Sequence, residues 1–290
     1  MKFCFIILHY KNFEDTIECV ESIFEKLKNK EEYRVIIVDN GSNDISTQKL
    51  EKYMKENQGR VEIIFSKQNL GFAKGNNLGA SYTIEKYEPD FLIVINNDTL
   101  MIDENFFLKV EKVFKKKKFD ILGPYIEGKD GQPQNPYINV IYGRKQILKN
   151  LIKNRIYLLI EYLNLNILRE RLRKIKKVKK YNYTSEQENE ALMGAALIFS
   201  KQYYEKYEHI FYEKTFMYCE EDILYYRIKK DKLISIYAPN IRIFHKEEST
   251  TNKIMKTSKK QRIFKLKHQW KSLFILLKLF MEKEGRMKCF

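Results

Sequence analysis

Short apolar runs alternate with amphipathic segments through residues 1–125, and this alternation restricts the possible folds more than any other feature of the chain. The runs hold hydrophobic residues at consecutive positions, which is typical of strands buried on both faces. Strands of this kind, separated by helices, predict an α/β fold with a mostly parallel central sheet flanked by helices. The runs are FCFIIL (3–8), RVIIVD (34–39), VEIIFS (61–66), FLIVI (91–95) and FDILGP (119–124).

Polar loops rich in Asp, Asn and Gly follow three of these strands. The loops are DNGSND (39–44), KQNLGFAKGNN (67–77) and NNDT (96–99). Parallel sheets bind ligands at the carboxyl ends of their strands, where such loops meet at one edge. We therefore expect the three loops to form one ligand-binding edge.

Asp98 follows the apolar run 91–95 and is the candidate ligand for a divalent metal, Mg²⁺ or Mn²⁺. These cations take few carboxylates and complete their coordination with phosphate oxygens and water, so one Asp at a strand end suits a nucleotide diphosphate. Taken alone, the stretch favours a simpler interpretation, an Asx turn or a helix N-cap before residues 103–115. His245 is a second candidate for a metal ligand or phosphate contact, although a lone His is more often structural.

Asp39 ends the second apolar run, where its carboxylate could accept hydrogen bonds from a nucleobase or a ribose. Gly71 and Gly75 would permit the backbone to approach a nucleotide closely. Their G-x-x-x-G spacing is a weak signal, and the sequence holds neither a Walker loop nor a G-x-G-x-x-G fingerprint. Kinase, NTPase and dehydrogenase functions are therefore disfavoured.

Three consecutive acids, Glu220, Glu221 and Asp222, follow the aromatic-rich stretch FMYC. Crowded carboxylates near apolar groups raise each other's pKa, which suits a general base. The same three residues also fit the first turn of a helix, where the helix dipole favours negative charge. The residues alone leave both interpretations open.

The net charge of +16 is concentrated in two segments. Residues 144–180 hold 13 Lys and Arg against two acids, and residues 253–290 hold 12 against two, so the remainder is mildly acidic. This distribution disfavours a uniformly basic nucleic-acid binder. Both segments predict basic amphipathic helices, which either lie on an anionic membrane surface or pack on the protein.

The cysteines and the apolar stretches bear on the location of the protein. The four cysteines are scattered without a metal-binding spacing, which fits a reduced cytoplasmic setting. No stretch approaches the ~20 apolar residues of a membrane-spanning helix. We therefore expect a cytoplasmic protein, bound peripherally to the inner face of a bacterial membrane if the basic helices contact lipid.

Taken in order, the motifs resemble those of family-2 glycosyltransferases with the Rossmann-like GT-A fold. The resemblance covers residues 1 to about 250. It implies a nucleotide-sugar half (1–123), a basic helical insertion (124–185), an acceptor half of the same domain (186–250) and a basic tail (251–290). The matching stretches are ILHYKN (7–12), VIIVDNGSND (35–44), NLGFAKGNNLG (69–79), LIVINNDT (92–99), LMGAALIF (192–199), FMYCEEDILYYRIKKDK (216–232) and IFHKEEST (243–250).

The resemblance also implies a role for each matching residue. NND (96–98) stands where the family has its DxD metal motif, which leaves Asp98 as the metal ligand and His245 as a helper. Glu221 aligns with the catalytic base, ahead of Asp222 and then Glu220. Met193, Gly194, Ala195 and Arg227 fall on the acceptor side. The implied donor-binding residues are Asp39, Asn40, Asn69, Gly71, Lys74, Asn76 and Asn97.

The implied reaction transfers a sugar from a nucleotide diphosphate sugar to a hydroxyl of a glycan acceptor, with inversion of configuration. A polyprenyl-diphosphate-linked acceptor, a membrane surface and capsule or lipopolysaccharide synthesis complete this hypothesis, and no specific nucleic acid is expected. A nucleotidyltransferase-like enzyme is the first alternative, although ILHYKNFED (7–15) holds no Gly/Arg-rich loop. An inactive GT-A-like protein that binds a membrane or a nucleic acid is the second, given Asn96 and the unusual Glu221.

Overall fold

The computed structural model describes residues 1–28, 33–141, 143–165, 181–247 and 258–282. Strands and helices alternate through the described part of residues 1–125, as the hydrophobic pattern predicts. The described strands are β1 (Phe3–His9), β2 (Tyr33–Asp39), β3 (Val61–Phe65), β4 (Phe91–Asn96), β5 (Thr99–Met101), β6 (Ile121–Gly128), β7 (Gln187–Glu188), β8 (Ala196–Ser200) and β9 (Ser235–His245). The described helices are α1 (Phe13–Lys26), α2 (Ile45–Glu56), α3 (Gly71–Tyr87), α4 (Phe106–Lys117), α5 (Gly143–Tyr162), α6 (Lys201–Tyr204), α7 (Glu220–Asp231) and α8 (Ser258–Met281).

All nine described strands belong to one sheet, in the order β3-β2-β1-β4-β8-β6-β9-β5, with β7 paired to β9. Strands β1 to β4 are mutually parallel, and β6 and β9 run in the same direction. β8 is antiparallel to both of its neighbours, β4 and β6, while β5 and β7 are antiparallel to β9. The predicted α/β fold with a mostly parallel sheet is therefore confirmed, with antiparallel strands in the second half.

Helices cover both faces of the sheet, as alternate residues of β1 demonstrate. Phe5 and Ile7 belong to one buried cluster, and Cys4 and Ile6 belong to another on the opposite face. Because side chains alternate across a strand, a strand with two apolar faces must be covered on both sides. The consecutive apolar residues of β1 thus follow from its central position.

Three element boundaries differ from the expectations. β5 lies between Asp98 and α4 because residues 99–101 pair with β9, so the predicted helix start at 103 moves to Phe106. The apolar runs LISIYA (233–238) and IRIFH (241–245) predict two short strands, but they form the single strand β9, since a register shift against β6 accommodates Pro239. The helix after β3 begins at Gly71, which places most of the second polar loop in the first turns of α3.

The basic insertion and the tail meet in the fold. Leu273, Leu276 and Leu279 of α8 pack in one buried cluster with α5 and with Ile223 of α7. The tail therefore packs this apolar face on the protein instead of leaving it free. Exposed apolar side chains lie mainly on α5, together with Phe274 and Met281 of α8. Residues 166–180, 248–257 and 283–290, which include much of the predicted basic charge, fall outside the described residues. No helix in the described ranges is long and apolar enough to cross a membrane.

Candidate active site

Parallel pairing brings the ends of three strands together. His9 of β1 lies opposite Asp39 of β2, and Leu8 lies opposite Asn96 of β4. His9 is fully buried and contacts the hydroxyls of Thr16 and Ser46 at 2.8 and 3.0 Å. Burial lowers the pKa of His9, so its neutral ring ties α1 and α2 to the sheet. β3 is parallel to β2, with Phe65 opposite Asp39, so the polar loops after β2, β3 and β4 open on the same edge, as expected.

Asn40 joins the first polar loop to the second. Its side-chain oxygen accepts a hydrogen bond from the Leu70 amide at 2.8 Å, and its side-chain nitrogen donates to the Gly71 carbonyl at 3.1 Å. The side-chain oxygen of Asn69 accepts from the Gly71 amide at 2.8 Å. Asn40 and Asn69 therefore fix the start of α3 in addition to their predicted role in donor binding.

Asp39 makes two internal hydrogen bonds at the end of β2. Its carboxylate oxygens accept from the Ser42 amide at 3.0 Å and from the Thr47 hydroxyl at 2.6 Å. Each carboxylate oxygen retains a second lone pair, so contact with a nucleobase or a ribose stays a prediction.

Gly71 and Gly75 approach other atoms of the protein closely, which is a reason for glycine at both positions that does not involve a nucleotide. A Cβ at Gly71 would lie 2.1 Å from the carbonyl oxygen of Phe216, and one at Gly75 would lie 2.5 Å from Leu8. The Phe72 amide donates to the same Phe216 carbonyl at 2.8 Å. Both glycines thus serve packing within the protein, and a nucleotide contact at Gly71 stays a prediction.

Asn76 and Lys74 lie on the first turns of α3 in different surroundings. Asn76 is buried, and its side-chain nitrogen donates to the Phe72 carbonyl at 3.0 Å, while its side-chain oxygen has no partner. A buried polar atom without a partner is costly, which is consistent with a site that a ligand completes. Lys74 is exposed on the same helix.

Asp98 and His245 lie side by side although 147 residues separate them in the chain. β5 pairs with β9 and thereby places His245 Nε2 at 3.1 Å from Asp98 Oδ1. His245 Nδ1 contacts Gln134 Oε1 at 2.7 Å, and Gln134 Nε2 donates to the Glu247 carboxylate. Because that carboxylate can only accept, the Gln134 amide must direct its oxygen towards His245.

This orientation bears on a metal. Since Gln134 Oε1 accepts from Nδ1–H, a neutral His245 ring presents its Nε2 lone pair to the Asp98 carboxylate. Two acceptors at 3.1 Å suit a shared cation, and an outer hydrogen bond that fixes the tautomer is typical of a metal-bound His. No group of three or more His, Cys, Asp or Glu forms a metal site in the described part of the chain. Asp98 and His245 therefore fit a metal whose remaining ligands come from a diphosphate and water.

Asn97 lies beside this pair and is buried. Its side-chain nitrogen donates to the Thr16 hydroxyl at 3.1 Å, which leaves its side-chain oxygen available to a ligand. This contact holds the loop after β4 against α1.

A short backbone segment connects the end of β4 to the acidic cluster. The Asn96 amide donates to the Ala195 carbonyl at 2.9 Å, and the Gly194 amide donates to Glu221 Oε1 at 3.3 Å. Asn135, which the sequence reasoning missed, accepts from the Met193 amide at 2.9 Å and is fully buried. Gln134 and Asn135 in QPQNPY could have been noticed as polar residues near the end of β6, but nothing in the sequence indicates their partners.

The three acids occupy the first turn of α7, as one interpretation of the sequence predicts, while a general base among them stays a prediction. They face different surroundings. Glu221 and Asp222 line a cavity, whereas Glu220 points into the protein with a buried, unpartnered Oε1. Asp222 is buried and accepts from the Ile141 amide at 2.7 Å, whereas Glu221 is half-buried. Glu221 is thus the more exposed of the two acids that line the cavity.

Burial, followed by mutual repulsion, raises the pKa of these carboxyl groups. The pKa of Glu220 rises to about 8 and that of Asp222 to about 7, in each case through burial first and the charge of Glu221 as a further cause. Burial also raises the pKa of Glu221. A carboxylate with a raised pKa is a better base near neutral pH.

Backbone strain precedes the acids. Tyr218 and Cys219 have φ of 72° and 67°, in the left-handed region that costs a side-chain-bearing residue about 1–2 kcal/mol. Such strain concentrates at functional sites, where surrounding structure enforces it.

The cavity has a volume of about 600 Å³ and lies between α5, α8, residues 137–141 and the acids. It is large enough for a sugar unit or a small glycan. Met193, which the sequence predicts on the acceptor side, also lines it. Since α5 and α8 form the other walls, the insertion and the tail complete this candidate acceptor site.

Arg227 does not line this cavity, and its place on the acceptor side stays a prediction. Its guanidinium donates to the Tyr203 hydroxyl at 2.7 Å and to the carbonyls of His209 and Ile210. α7 directs it away from the acids because residues 221 and 227 lie on different faces of the helix. Arg227 therefore supports the segment 203–210.

The model of glycosyl transferase family 2 matches residues 4–227 of the chain. Among curated proteins, the low-salt glycan biosynthesis hexosyltransferase Agl10 of Haloferax volcanii is 25% identical over 130 residues. The aligned region is 45% of this chain and 38% of that relative.

Two solved structures are similar in fold. S. aureus TarS 1–349 in complex with UDP-GlcNAc has a TM-score of 0.57 and 15% identity, over 98% of this chain and 68% of TarS 1–349. GalNAc-T7 with UDP, GalNAc and Mn²⁺ has a TM-score of 0.57 and 14% identity, over 86% of this chain and 44% of GalNAc-T7.

Proposed function

The chain belongs to glycosyl transferase family 2, and we propose that it is a hexosyltransferase which moves a sugar from a nucleotide diphosphate sugar to a hydroxyl of a glycan acceptor. One observation carries this proposal. The backbone segment 194–195 bonds to Asn96 on one side and to Glu221 on the other, which joins the Asp98–His245 pair to the candidate base. The relatives support the donor class, since TarS binds UDP-GlcNAc and GalNAc-T7 binds UDP with Mn²⁺.

The donor would lie across the carboxyl ends of β1, β2 and β4. Asp39 contacts the nucleoside, and Asn76 supplies a buried oxygen without a partner. Asp98 and His245 would hold Mg²⁺ or Mn²⁺, and a bound cation would neutralise charge on the diphosphate. The His nitrogen in this pair favours Mn²⁺ over Mg²⁺, which prefers oxygen ligands.

The acceptor would enter the cavity with a hydroxyl against Glu221. The carboxylate of Glu221 removes the hydroxyl proton while the oxygen attacks the anomeric carbon from the face opposite the leaving group. The bond between that carbon and the diphosphate oxygen breaks, the nucleoside diphosphate leaves, and the configuration inverts. General-base catalysis of this kind typically contributes ~10²–10⁴-fold to the rate.

A nucleotide-sugar panel tests this function. The full chain is incubated with each donor, an acceptor panel of lipid-linked and free glycans, and Mn²⁺ or Mg²⁺, and the released nucleoside diphosphate is measured. We expect turnover with one donor class. Glu221→Gln should lower that turnover at least ~10²-fold, and Asp98→Ala should abolish the metal-dependent turnover. Metal-independent turnover in the unaltered protein would refute the metal assignment. A larger loss in Asp222→Asn or Glu220→Gln would move the base to that residue.

Peripheral membrane association is the second part of the proposal, and it rests on α5. Four apolar side chains of this helix, and Leu163 directly after its end, are 46–65% exposed. They recur every three or four residues and so form one stripe along the helix. The stripe is Leu148, Ile152, Ile156, Leu159 and Leu163. The flanking cations Lys145, Lys149 and Lys153 suit an anionic lipid surface. The acceptor would then be lipid-linked, as in capsule or lipopolysaccharide synthesis on the cytoplasmic face.

Vesicle sedimentation tests the stripe with a closely matched control. Ile152 and Leu159 are 63% and 60% exposed, while Ile45 and Leu108, on α2 and α4, are 64% and 57% exposed. We expect Ile152→Glu/Leu159→Glu to abolish binding to phosphatidylglycerol vesicles and Ile45→Glu/Leu108→Glu to preserve it. Equal losses in the two double variants would show that the stripe is not the binding surface.

A further inference from the structure

Helix α5 presents three faces, and two of them belong to the site. One face is buried in the core cluster with Ile147 and Leu151, and one lines the cavity through Asn150, Asn154 and Tyr157. The third is the exposed apolar stripe. At about 100° of rotation per residue, Lys153 lies roughly 100° from the centre of the stripe and roughly 65° from the centre of the cavity face. Lys153 is therefore at the border between the apolar surface and the cavity.

Lys265 of α8 completes a cationic pair at the cavity. It lines the same cavity as Lys153 and, like Lys153, is exposed. Among the described residues, neither ammonium forms a salt bridge, and the nearest recorded contacts are aromatic rings at 5.6 Å (Tyr157) and 5.9 Å (Tyr218). Both cations are thus directed to the cavity and available to a ligand.

Other cations of the same two helices are already paired within the protein. Arg262 bonds to Glu161 at 2.8 Å, Arg144 donates to the Phe280 carbonyl at 2.7 Å, and Arg155 lies 3.9 Å from the ring centroid of Trp270. These three arginines are therefore less available to a ligand than Lys153 and Lys265, which also line the cavity.

Charge and polarity are arranged unevenly around the cavity. Glu221 and Asp222 supply negative charge, Lys153 and Lys265 supply positive charge, and neutral amides of Asn150, Asn154 and Gln269 also line the walls. The Asn154 side-chain oxygen is buried without a partner, so it can accept from a sugar hydroxyl. This arrangement suits a ligand with a neutral sugar towards the acids and an anionic group towards the lysines.

We propose that Lys153 and Lys265 bind a phosphate group of the acceptor, next to the sugar whose hydroxyl meets Glu221. This inference rests on the proposed function and specifies its acceptor class as phosphorylated. Lysine binds phosphate as a compact point charge with several donors, and two lysines from different elements can bind one phosphate or a diphosphate together. The apolar stripe beside Lys153 favours a lipid diphosphate over a soluble glycosyl phosphate as the source of that group.

Site-resolved lysine acetylation tests the proposal on the whole protein, with inorganic pyrophosphate and farnesyl diphosphate as probes. We expect either probe to slow acetylation of Lys153 and Lys265 at least ~3-fold while Lys145 and Lys267, on the same helices but away from the cavity, react as before. Protection of none of these lysines, or equal protection of all four, would overturn the proposal.

Binding constants for the same probes give a second measurement. Lys153→Ala/Lys265→Ala should weaken pyrophosphate binding at least ~10-fold, because charge-assisted hydrogen bonds are lost, whereas Lys145→Ala/Lys267→Ala removes the same charge with little effect. Equal weakening by both double variants would reduce the site to diffuse attraction and refute it.

The probes also separate the two sources of phosphate and the two proposals. Tighter binding of farnesyl diphosphate than of pyrophosphate, lost in Ile152→Glu, supports a lipid-linked acceptor, and equal affinities support a soluble phosphorylated glycan. Lysine protection does not depend on turnover. Protection without sugar transfer would support the phosphate site and refute the proposed function. Sugar transfer without protection would support the proposed function and refute the phosphate site.

Discussion

Replacement of Gly71 by Ala tests how the donor edge is held against the segment that leads to the acids. Gly71 has φ of +81°, and a Cβ there would lie 2.1 Å from the Phe216 carbonyl oxygen. The left-handed backbone costs an Ala about 1–2 kcal/mol. Displacing a closely packed backbone adds a cost of about 1–3 kcal/mol, as for other overpacked sites. We therefore expect Gly71→Ala to lower the free energy of unfolding by about 2–5 kcal/mol.

Gly59 supplies the control for the backbone contribution. Its φ is +83°, and nothing lies within 4 Å of a Cβ added there, so Gly59→Ala should cost only about 1–2 kcal/mol. Urea unfolding of both variants and the unaltered protein, followed by circular dichroism, measures the two losses. Equal losses at Gly71 and Gly59 would refute the reasoning, because the contact with Phe216 would then contribute nothing.

Two further predictions concern the acids and the metal. Burial raises the pKa of Glu220 to about 8, so the native state binds its proton more tightly than the unfolded state does. The stability that this proton contributes is therefore full below about pH 4.5 and is lost as the pH rises towards 8. Glu220→Gln should therefore reduce the decline in unfolding free energy between about pH 5 and pH 8, measured by urea unfolding, and an unaltered slope would contradict the assignment. Gln134→Ala should weaken Mn²⁺ binding, measured by electron paramagnetic resonance, by about 10–100-fold because His245 loses its orienting acceptor. Gln132→Ala, in the same loop, is the control, and an equal effect there would exclude the orienting role.

The first half of the fold follows from local pattern, and the second half does not. Consecutive apolar residues in β1, β2 and β4 can be satisfied only in a sheet covered on both faces, so periodicity alone predicts them. Residues 99–101 become a strand only because β9 pairs with them from more than 140 residues away. The apolar runs 233–238 and 241–245 predict two strands, yet a register shift in the pairing with β6 joins them into one. Both outcomes depend on long-range pairing that local sequence does not encode.

The candidate site divides in the same way. Asp98, His245 and the acids stand out by residue type and by motif, and the structure brings Asp98 and His245 together. Gln134 and Asn135 were missed because their importance lies in what they contact, a His and a backbone amide distant in sequence. Gly71 stood out as a possible nucleotide contact, which stays a prediction, whereas its close approach to the Phe216 carbonyl could not be predicted from the sequence.

The wall that α5 and α8 form has a consequence for how such a chain can diversify. The two helices pack on each other and on α7, and neither contributes a strand to the sheet that carries Asp39 and Asp98. Exchange of both helices as a matched pair could therefore redirect the choice of acceptor while the chemistry at the anomeric carbon is retained. Exchange of one alone would expose Leu273 and Leu276 or their partners Ile147 and Leu151, so the insertion and the tail are expected to be inherited together.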